Sequence, residues 1–379
     1  MRWKDWAGYF AVCTFDTYPE REYFAFRNGA GMIDVTPLYK YEIHGPDAAA
    51  FLSRVMVKNI ANLEVGQVTY CCWCDHYGKL LDDGTVWRFD DNQFRVTAAE
   101  PSLAWFHRSA RGFDVTMEES TDRIAALSIQ GPTSRDILKQ VTDADLDALK
   151  FFRLTNTTID AFDATITRTG YTGDLGYEIW VSNEDAVPLW NALAAAGKTY
   201  GLEPAGLDAL DVCRVEAGFI MNGVDYYSAN HCLIESRKST PYETALGWTV
   251  NLDRDPFIGQ AALVAENANG SARKFVGLEI DWDEVQELFA RHNLPPEICT
   301  SAWRSPVPVY TTSGVQIGQA TSGSWSPLLK KNLALATVDA PHGRIGEVLN
   351  IEVTVEYVRH KVKATVTKKP FFDPPRKRA

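Results

Sequence analysis

The stretch that most constrains this chain is a glycine-punctuated turn at Arg168–Trp180, which reads R-T-G-Y-T-G-D-L-G-Y-E-I-W. Its glycines, Gly170, Gly173 and Gly176, recur at every third position. Glycine adopts positive φ at little cost, so this spacing predicts a tight backbone path. The turn leads into a strand that presents one carboxylate, Glu178. Taken alone, the stretch also fits a Gly-rich hairpin with no function.

Strands and helices alternate over residues 1–270, and short strands separated by turn residues dominate 271–379. The pattern therefore predicts an α+β body followed by a β-rich C-terminal domain. Predicted helices include Pro46–Val55, Pro132–Val141, Asn183–Gly197 and Ala205–Ala217. Predicted strands of the last domain are Lys274–Ile280, Pro308–Tyr310, Gln316–Ser322, Leu333–Val338, Val348–Val355 and Lys361–Thr367.

Composition narrows the class of protein. A formal net charge of −11 argues against nucleic acid or an anionic membrane as the main partner. No apolar run is long enough to span a bilayer, and the N-terminus lacks the apolar core of a signal peptide. Cys71 and Cys74 form a C-x-x-C pair, but no second ligand pair accompanies it, so we expect reduced thiols and no metal. These features predict a cytoplasmic protein.

Five blocks follow one another along the chain in a recognisable order. They are G-A-G-M-I-D-V-T at 29–36, Y-G-K-L-L-D-D-G at 77–84, A-L-S-I-Q-G-P at 126–132, T-G-Y-T-G-D-L-G-Y-E-I at 169–179 and R-V-E-A-G at 214–218. The ordered set resembles the glycine cleavage T-protein (aminomethyltransferase) family. The resemblance implies a three-lobed, cloverleaf-like folate-binding fold, with two interleaved α+β lobes in 1–270 and a barrel-like domain in 271–379. It also implies tetrahydrofolate as the co-substrate that accepts a one-carbon unit.

The resemblance assigns the catalytic role to Asp82 in the L-L-D-D-G block. A carboxylate there would stabilise positive charge that develops near the transferred carbon. Adjacent strand residues point to opposite faces, so Asp82 and Asp83 are not expected to act as one unit, and we expect Asp82 to face the cavity. The alternative for either residue is an aspartate that only closes a turn.

The resemblance also implies the residues that hold the folate. Glu178 matches the family glutamate that binds the N–H edge of the pterin ring, for which a carboxylate offers two acceptors in one plane. Tyr171, Thr97 and Trp248 are the other expected folate contacts. An exposed strand glutamate and an ordinary core tryptophan are the alternatives for Glu178 and Trp248.

Departures from the family pattern influence the expected reaction. Leu210 stands where the family usually has a ligand-contacting arginine, and a long aromatic loop lies between Gly223 and Gly247. These departures predict a demethylase that moves a methyl group from a small O-, S- or N-methylated substrate to tetrahydrofolate. The expected substrate contacts are Tyr39, Trp73, His76, Tyr226 and His231, although aromatic residues often fill cores and single histidines are often structural. Two alternatives stay open: an aminomethyltransferase served by a lipoylated carrier protein, and a folate-binding protein without turnover.

Overall fold

The computed structural model describes residues 2–379. Its helices are α1 (Pro19–Asn28), α2 (Ala48–Val55), α3 (Leu103–Ser109), α4 (Ser134–Leu138), α5 (Ala186–Gly197), α6 (Leu207–Ala217), α7 (Gln260–Asn269) and α8 (Trp282–Arg291). The strands of the N-terminal part are β1 (Arg2–Trp6), β2 (Tyr9–Thr14), β3 (Ala30–Asp34), β4 (Tyr39–His44), β5 (Val68–Cys74), β6 (Leu80–Arg88), β7 (Gln93–Ala98), β8 (Thr116–Glu119), β9 (Ile124–Gln130), β10 (Leu154–Ile159), β11 (Phe162–Thr167), β12 (Gly176–Ser182) and β13 (Leu202–Pro204).

Besides the two-stranded β1–β2 sheet, two larger sheets form the N-terminal body, and the chain passes back and forth between them. One has five antiparallel strands in the order β5-β6-β7-β4-β8. The other has six strands in the order β10-β11-β12-β9-β3-β13, and only its β13–β3 pair is parallel. Because β3 precedes the first sheet in sequence but belongs to the second, the two lobes are interleaved.

Each sheet covers its own apolar core. In the five-stranded sheet, Tyr41, Trp73 and Val96 pack with Phe51 of α2 and Phe106 of α3. In the six-stranded sheet, a separate cluster packs against α4 and α5. The opposite faces of the two sheets are left to meet one another.

A closed barrel forms the C-terminal lobe. Its strands are β14 (Arg273–Ile280), β15 (Val307–Tyr310), β16 (Gln316–Ser326), β17 (Lys331–Asp339), β18 (Val348–Val355) and β19 (Val358–Thr367), in the order β14-β17-β16-β15-β18-β19. The expected mixed fold with a C-terminal barrel is confirmed. The strand pattern missed α8, whose start is capped by the Asp281 side chain, which accepts a hydrogen bond from the backbone N–H of Glu284 at 3.0 Å.

Glu216 near the end of α6 joins the three lobes. Its Oε2 accepts hydrogen bonds from Arg27 Nη2 at 2.6 Å and Nε at 3.0 Å. Its Oε1 accepts from Tyr23 in α1 and from Ser326 in the barrel, both at 2.5 Å. Its backbone carbonyl accepts from Phe371 in the C-terminal tail at 2.8 Å. Among residues 2–379, no helix has the length and apolar character needed to cross a bilayer.

Candidate functional site

The glycine turn is tight for two different reasons. Gly173 has a φ of +73°, which favours glycine. Gly170 and Gly176 instead make room for the Gln130 side chain, because a Cβ at these positions would lie 2.1 and 2.0 Å from Gln130 Oε1. Gln130 Nε2 donates to the Thr169 carbonyl at 3.0 Å, and this contact fixes the start of the turn.

Glu178 lies on β12, immediately after this turn. Its Oε2 accepts a hydrogen bond from Thr169 Oγ1 at 2.7 Å. The Thr169 and Thr167 hydroxyl oxygens are in turn hydrogen-bonded to each other at 2.6 Å. Burial raises the pKa of Glu178, and the two threonine hydroxyls act in the opposite direction. The side chain is therefore held by neutral donors, and no cation contributes to its shift.

Tyr171 closes one side of the turn. Its ring stacks on Phe219 with centroids 5.5 Å apart, and its hydroxyl donates to the Ile220 carbonyl. The hydroxyl is thus occupied by the backbone after α6, and the ring is the part of Tyr171 that can contact a flat ligand.

Asp82 is enclosed by hydrogen-bond donors. Its Oδ1 accepts from the Asn222 side chain and the Asp83 backbone N–H, both at 2.9 Å. Its Oδ2 accepts from the backbone N–H groups of Ala99 at 3.0 Å and Glu100 at 2.8 Å. The residue is fully buried, so the expectation that Asp82 faces an open cavity is wrong. Its geometry suits an anchor that fixes the end of β7.

Asp83 is the more accessible member of the pair. Its Oδ2 accepts from the Tyr70 hydroxyl at 2.6 Å and its Oδ1 from the Tyr226 hydroxyl at 2.5 Å. The Tyr226 hydroxyl also lies 3.4 Å from Asp82 Oδ1. The two carboxylates therefore share one neighbour, the Tyr226 hydroxyl, and otherwise have separate hydrogen-bond partners. The two residues pair in regular register with Trp73 and Cys72, and the contact between them is made by Tyr226, which comes from the loop after α6.

Burial raises the pKa of both aspartates. The Asp83 charge raises the pKa of Asp82 further, while the Asn222 and backbone N–H donors lower it. Because only N–H groups contact Asp82 at short range, the ionised form of Asp82 fits its surroundings. Burial therefore opposes the ionisation of both carboxyl groups, and hydrogen bonds to each of them oppose that effect.

Two tryptophans bring the carboxylate-bearing faces of the sheets together. Asp83, Thr85 and Trp87 alternate along one face of β6, and Glu178 and Trp180 share one face of β12. The rings of Trp87 and Trp180 meet edge to face with centroids 4.8 Å apart. Asp83 and Glu178 therefore line two walls that face one another.

Thr97 lies beside this contact. Its hydroxyl is 2.7 Å from that of Thr85, which in turn accepts a hydrogen bond from the Trp87 indole N–H at 2.7 Å. Thr97 is buried, so it supports the floor between the two walls. Trp248 lies at the rim, 64% exposed, and stacks on Tyr70 at 6.2 Å.

The five expected substrate contacts separate into three groups. Tyr226 lies at the aspartate pair. Trp73 is fully buried in the core beneath α2 and α3, so the prediction that it contacts substrate is wrong, whereas Tyr39 is half-buried at the edge of the same cluster. His76 packs edge to face with Trp105 at 6.2 Å, and His231 Nε2 lies 3.6 Å from a Glu100 carboxylate oxygen. Both histidines lie on exposed segments outside the facing walls.

Sequence reasoning missed several residues of the site: Tyr70, Thr85, Asn222 and Asp225. Tyr70 had a signal, because it alternates with Cys72 along β5 and so faces Asp83. No sequence pattern indicated Asp225, because only tertiary contacts bring it to the site. Its carboxylate pairs with Arg214 at 2.7 Å and accepts from Thr321 of the barrel at 2.6 Å.

Leu210 packs among Trp87 and Trp180, so an apolar side chain fills the place of the family arginine. The next residue, Asp211, pairs with Arg214 at 2.5 Å and with Arg304 from the barrel lobe at 2.7 Å. The charged network of α6 is thus directed towards the barrel.

The two interleaved sheets and the closed barrel form the three-lobed architecture that the five sequence blocks imply. The family model described as "GCVT N-terminal domain" matches residues 2–254, and the model described as "Glycine cleavage T-protein C-terminal barrel domain" matches residues 273–373. The chain belongs to the glycine cleavage T-protein family, and the expected membership is confirmed.

Relatives of similar length support this membership. The aminomethyltransferase of Caldanaerobacter subterraneus subsp. tengcongensis is 34% identical over 374 residues, which cover 97% of this chain and 91% of the relative. The aminomethyltransferase of Bacillus subtilis is 33% identical over 359 residues, covering 93% and 90%. The crystal structure of the glycine cleavage system aminomethyltransferase T from Bartonella henselae superposes with a TM-score of 0.83 at 24% identity, covering 98% and 94%, and shares the fold.

These relatives correct the expected reaction. The sequence departures at Leu210 and in the loop between Gly223 and Gly247 predict a demethylase of small methylated substrates. The relatives that match this chain over nearly its whole length are named aminomethyltransferases. The demethylase prediction is therefore wrong, and the alternative of an aminomethyltransferase fits better.

Proposed function

We propose that this protein transfers a one-carbon unit from an aminomethyl group to tetrahydrofolate, and that a lipoylated carrier protein presents the aminomethyl group. The observation that carries the proposal is the placement of Asp83 and Glu178 on facing walls joined by Trp87 and Trp180. The names of the full-length relatives support the same reaction.

Glu178 binds the folate in this proposal. Its carboxylate is fixed on one side by Thr169 and accepts hydrogen bonds from the N–H edge of the pterin ring. Tyr171 and Trp248 offer ring faces to the flat ligand, and Thr97 keeps the floor in place through Thr85. Each contact positions the folate nitrogen relative to the aminomethyl carbon, and such positioning is a large part of the rate gain in two-substrate reactions.

Asp83 acts at the reacting centre. The folate nitrogen that attacks the methylene carbon becomes positively charged and must lose a proton. A carboxylate facing it stabilises that charge and accepts the proton. Asp82 keeps Asp83 in place, because its N–H donors tie β6 to the end of β7.

Release of ammonia from a purified carrier tests the function. An aminomethylated lipoyl carrier is mixed with the protein, with and without tetrahydrofolate. We expect rapid ammonia release and a labelled carbon on the folate only when tetrahydrofolate is present. Failure to release ammonia in its presence, or an equal rate without it, contradicts the proposal. A methylated small molecule in place of the carrier serves as the negative control.

Glu178→Gln is expected to weaken tetrahydrofolate binding by about 10-fold or more, because an amide N–H₂ then faces the pterin N–H groups at a cost of about 1–3 kcal/mol. The rate at saturating folate should stay near that of the unchanged protein. Isothermal titration calorimetry with tetrahydrofolate and with its 5-formyl analogue measures the change. Glu184→Gln on an exposed segment is the matched control. Equal affinity in all three proteins would remove Glu178 from the folate site.

A further inference from the structure

Two tyrosines from distant parts of the chain converge on Asp83. Tyr70 comes from β5 and donates to Oδ2 at 2.6 Å, while Tyr226 comes from the loop after α6 and donates to Oδ1 at 2.5 Å. Each oxygen of the carboxylate therefore has its own phenol donor. The contacts of Asp82 are of another kind, since N–H groups provide its four shorter hydrogen bonds.

Both phenols are held in place independently of Asp83. Tyr226 is 1% exposed and packs in a cluster with Cys72 and Leu80. Its backbone carbonyl accepts a hydrogen bond from Gly223 at 2.8 Å. Tyr70 stacks on Trp248 with ring planes 22° apart. The two hydroxyl groups are therefore fixed before a ligand arrives.

We propose that Tyr70 and Tyr226 are positioning residues that keep Asp83 ionised and aimed between the two walls, in the form that accepts a proton. The role of ionised Asp83 as a proton acceptor rests on the proposed function. The two hydrogen bonds that hold its carboxylate do not depend on that function. Neutral donors suit this role, because a lysine or arginine in their place would cancel the negative charge that a developing cation needs.

The surroundings of Asp83 make such support necessary. Burial raises the pKa of Asp83, the two phenols lower it, and the Asp225 charge raises it. Asp82 precedes Asp83 on β6, and Cys72 lies opposite Asp83 on β5. Tyr171 is also close, since the Asp83 charge raises the pKa of the Tyr171 hydroxyl. Arg214 pairs with Asp225 at 2.7 Å and so reduces the repulsion from that carboxylate, which leaves burial as the main effect that the phenol hydrogen bonds offset.

Carboxyl-carbon NMR of the substrate-free protein tests the proposal. Aspartate labelled with carbon-13 at the side-chain carboxyl is incorporated, and the Asp83 signal is assigned by its loss in Asp83→Asn. Tyr226→Phe and Tyr70→Phe are each expected to raise the titration midpoint of Asp83 by about one pH unit, because each removes one hydrogen bond to a charged acceptor. The double variant should shift further. Tyr227→Phe, one residue along, should leave the midpoint unchanged.

The same variants give a kinetic readout. Since Asp83 must be ionised to act, a higher pKa moves the acid limb of the kcat/KM profile to higher pH, with little change in tetrahydrofolate affinity. An Asp83 midpoint that is unmoved or lowered in both tyrosine variants overturns the proposal, and a rise in only one of them removes the other tyrosine from it. If the tyrosine variants show the expected NMR shifts but the unchanged protein transfers no carbon, the proposed function is refuted. The inference about Tyr70 and Tyr226 is then still supported.

Discussion

Asp83→Asn is expected to lower kcat for transfer to tetrahydrofolate by about 100-fold or more, while tetrahydrofolate still binds. The substitution keeps the size of the side chain and removes the charge that the proposed mechanism uses at the reacting centre. Steady-state kinetics with the aminomethylated carrier, together with calorimetric titration of folate, separate the two effects.

Asp82→Asn is the matched control, and its expected effect is on stability. The amide N–H₂ that this substitution introduces would meet the N–H groups that now donate to the carboxylate, at a cost of about 1–3 kcal/mol in the free energy of unfolding. Its kcat should fall much less than that of Asp83→Asn. A folded Asp82→Asn protein without turnover, beside an active Asp83→Asn protein, would show that accessibility is the wrong guide to the catalytic member of the pair.

Glu216→Ala is expected to reduce the free energy of unfolding by about 3–5 kcal/mol. The change removes the main partner of Arg27, whose side chain is completely buried, and Asp174 remains 3.5 Å from it. It also removes acceptors for Tyr23 and Ser326, so contacts among all three lobes are lost at once.

Urea unfolding followed by tryptophan fluorescence measures this loss. Glu184→Ala, on an exposed segment, should change stability by no more than about 0.5 kcal/mol. If Glu216→Ala unfolds at the same urea concentration as Glu184→Ala, Glu216 does not hold the lobes together.

The sequence predicted the fold where periodicity and turn residues agree. The strand pattern at Val348–Val355 matches β18 in full, and the helix expected at Ala205–Ala217 is present as Leu207–Ala217. Amphipathic α8 was missed because short strands on both sides dominated the pattern, although Asp281 is a suitable cap. Local patterns were therefore enough to predict individual helices and strands. The interleaving of the two sheets could not be predicted in this way, because it depends on pairing between distant strands.

The site was predictable only in part. The glycine turn and the L-L-D-D-G block indicated Glu178 and the aspartate pair. Alternation places Asp82 and Asp83 on opposite faces of β6, but it does not say which of the two faces is buried. Aromatic composition could not separate Trp73, which fills a core, from Tyr226, which bonds to Asp83. Those distinctions depend on which sheet face each strand buries.

The most direct test of the account is the single-turnover transfer rate measured against tetrahydrofolate concentration, side by side for the unchanged protein, Glu178→Gln and Asp83→Asn. In the proposed reaction, Glu178 on one wall binds the folate and Asp83 on the other acts in the chemistry. We therefore expect that Glu178→Gln needs more folate but approaches the normal plateau, and that Asp83→Asn is half-saturated at the normal folate concentration with a plateau lower by about 100-fold or more. A loss of plateau in Glu178→Gln with normal half-saturation, or an unchanged curve for Asp83→Asn, would contradict these two roles.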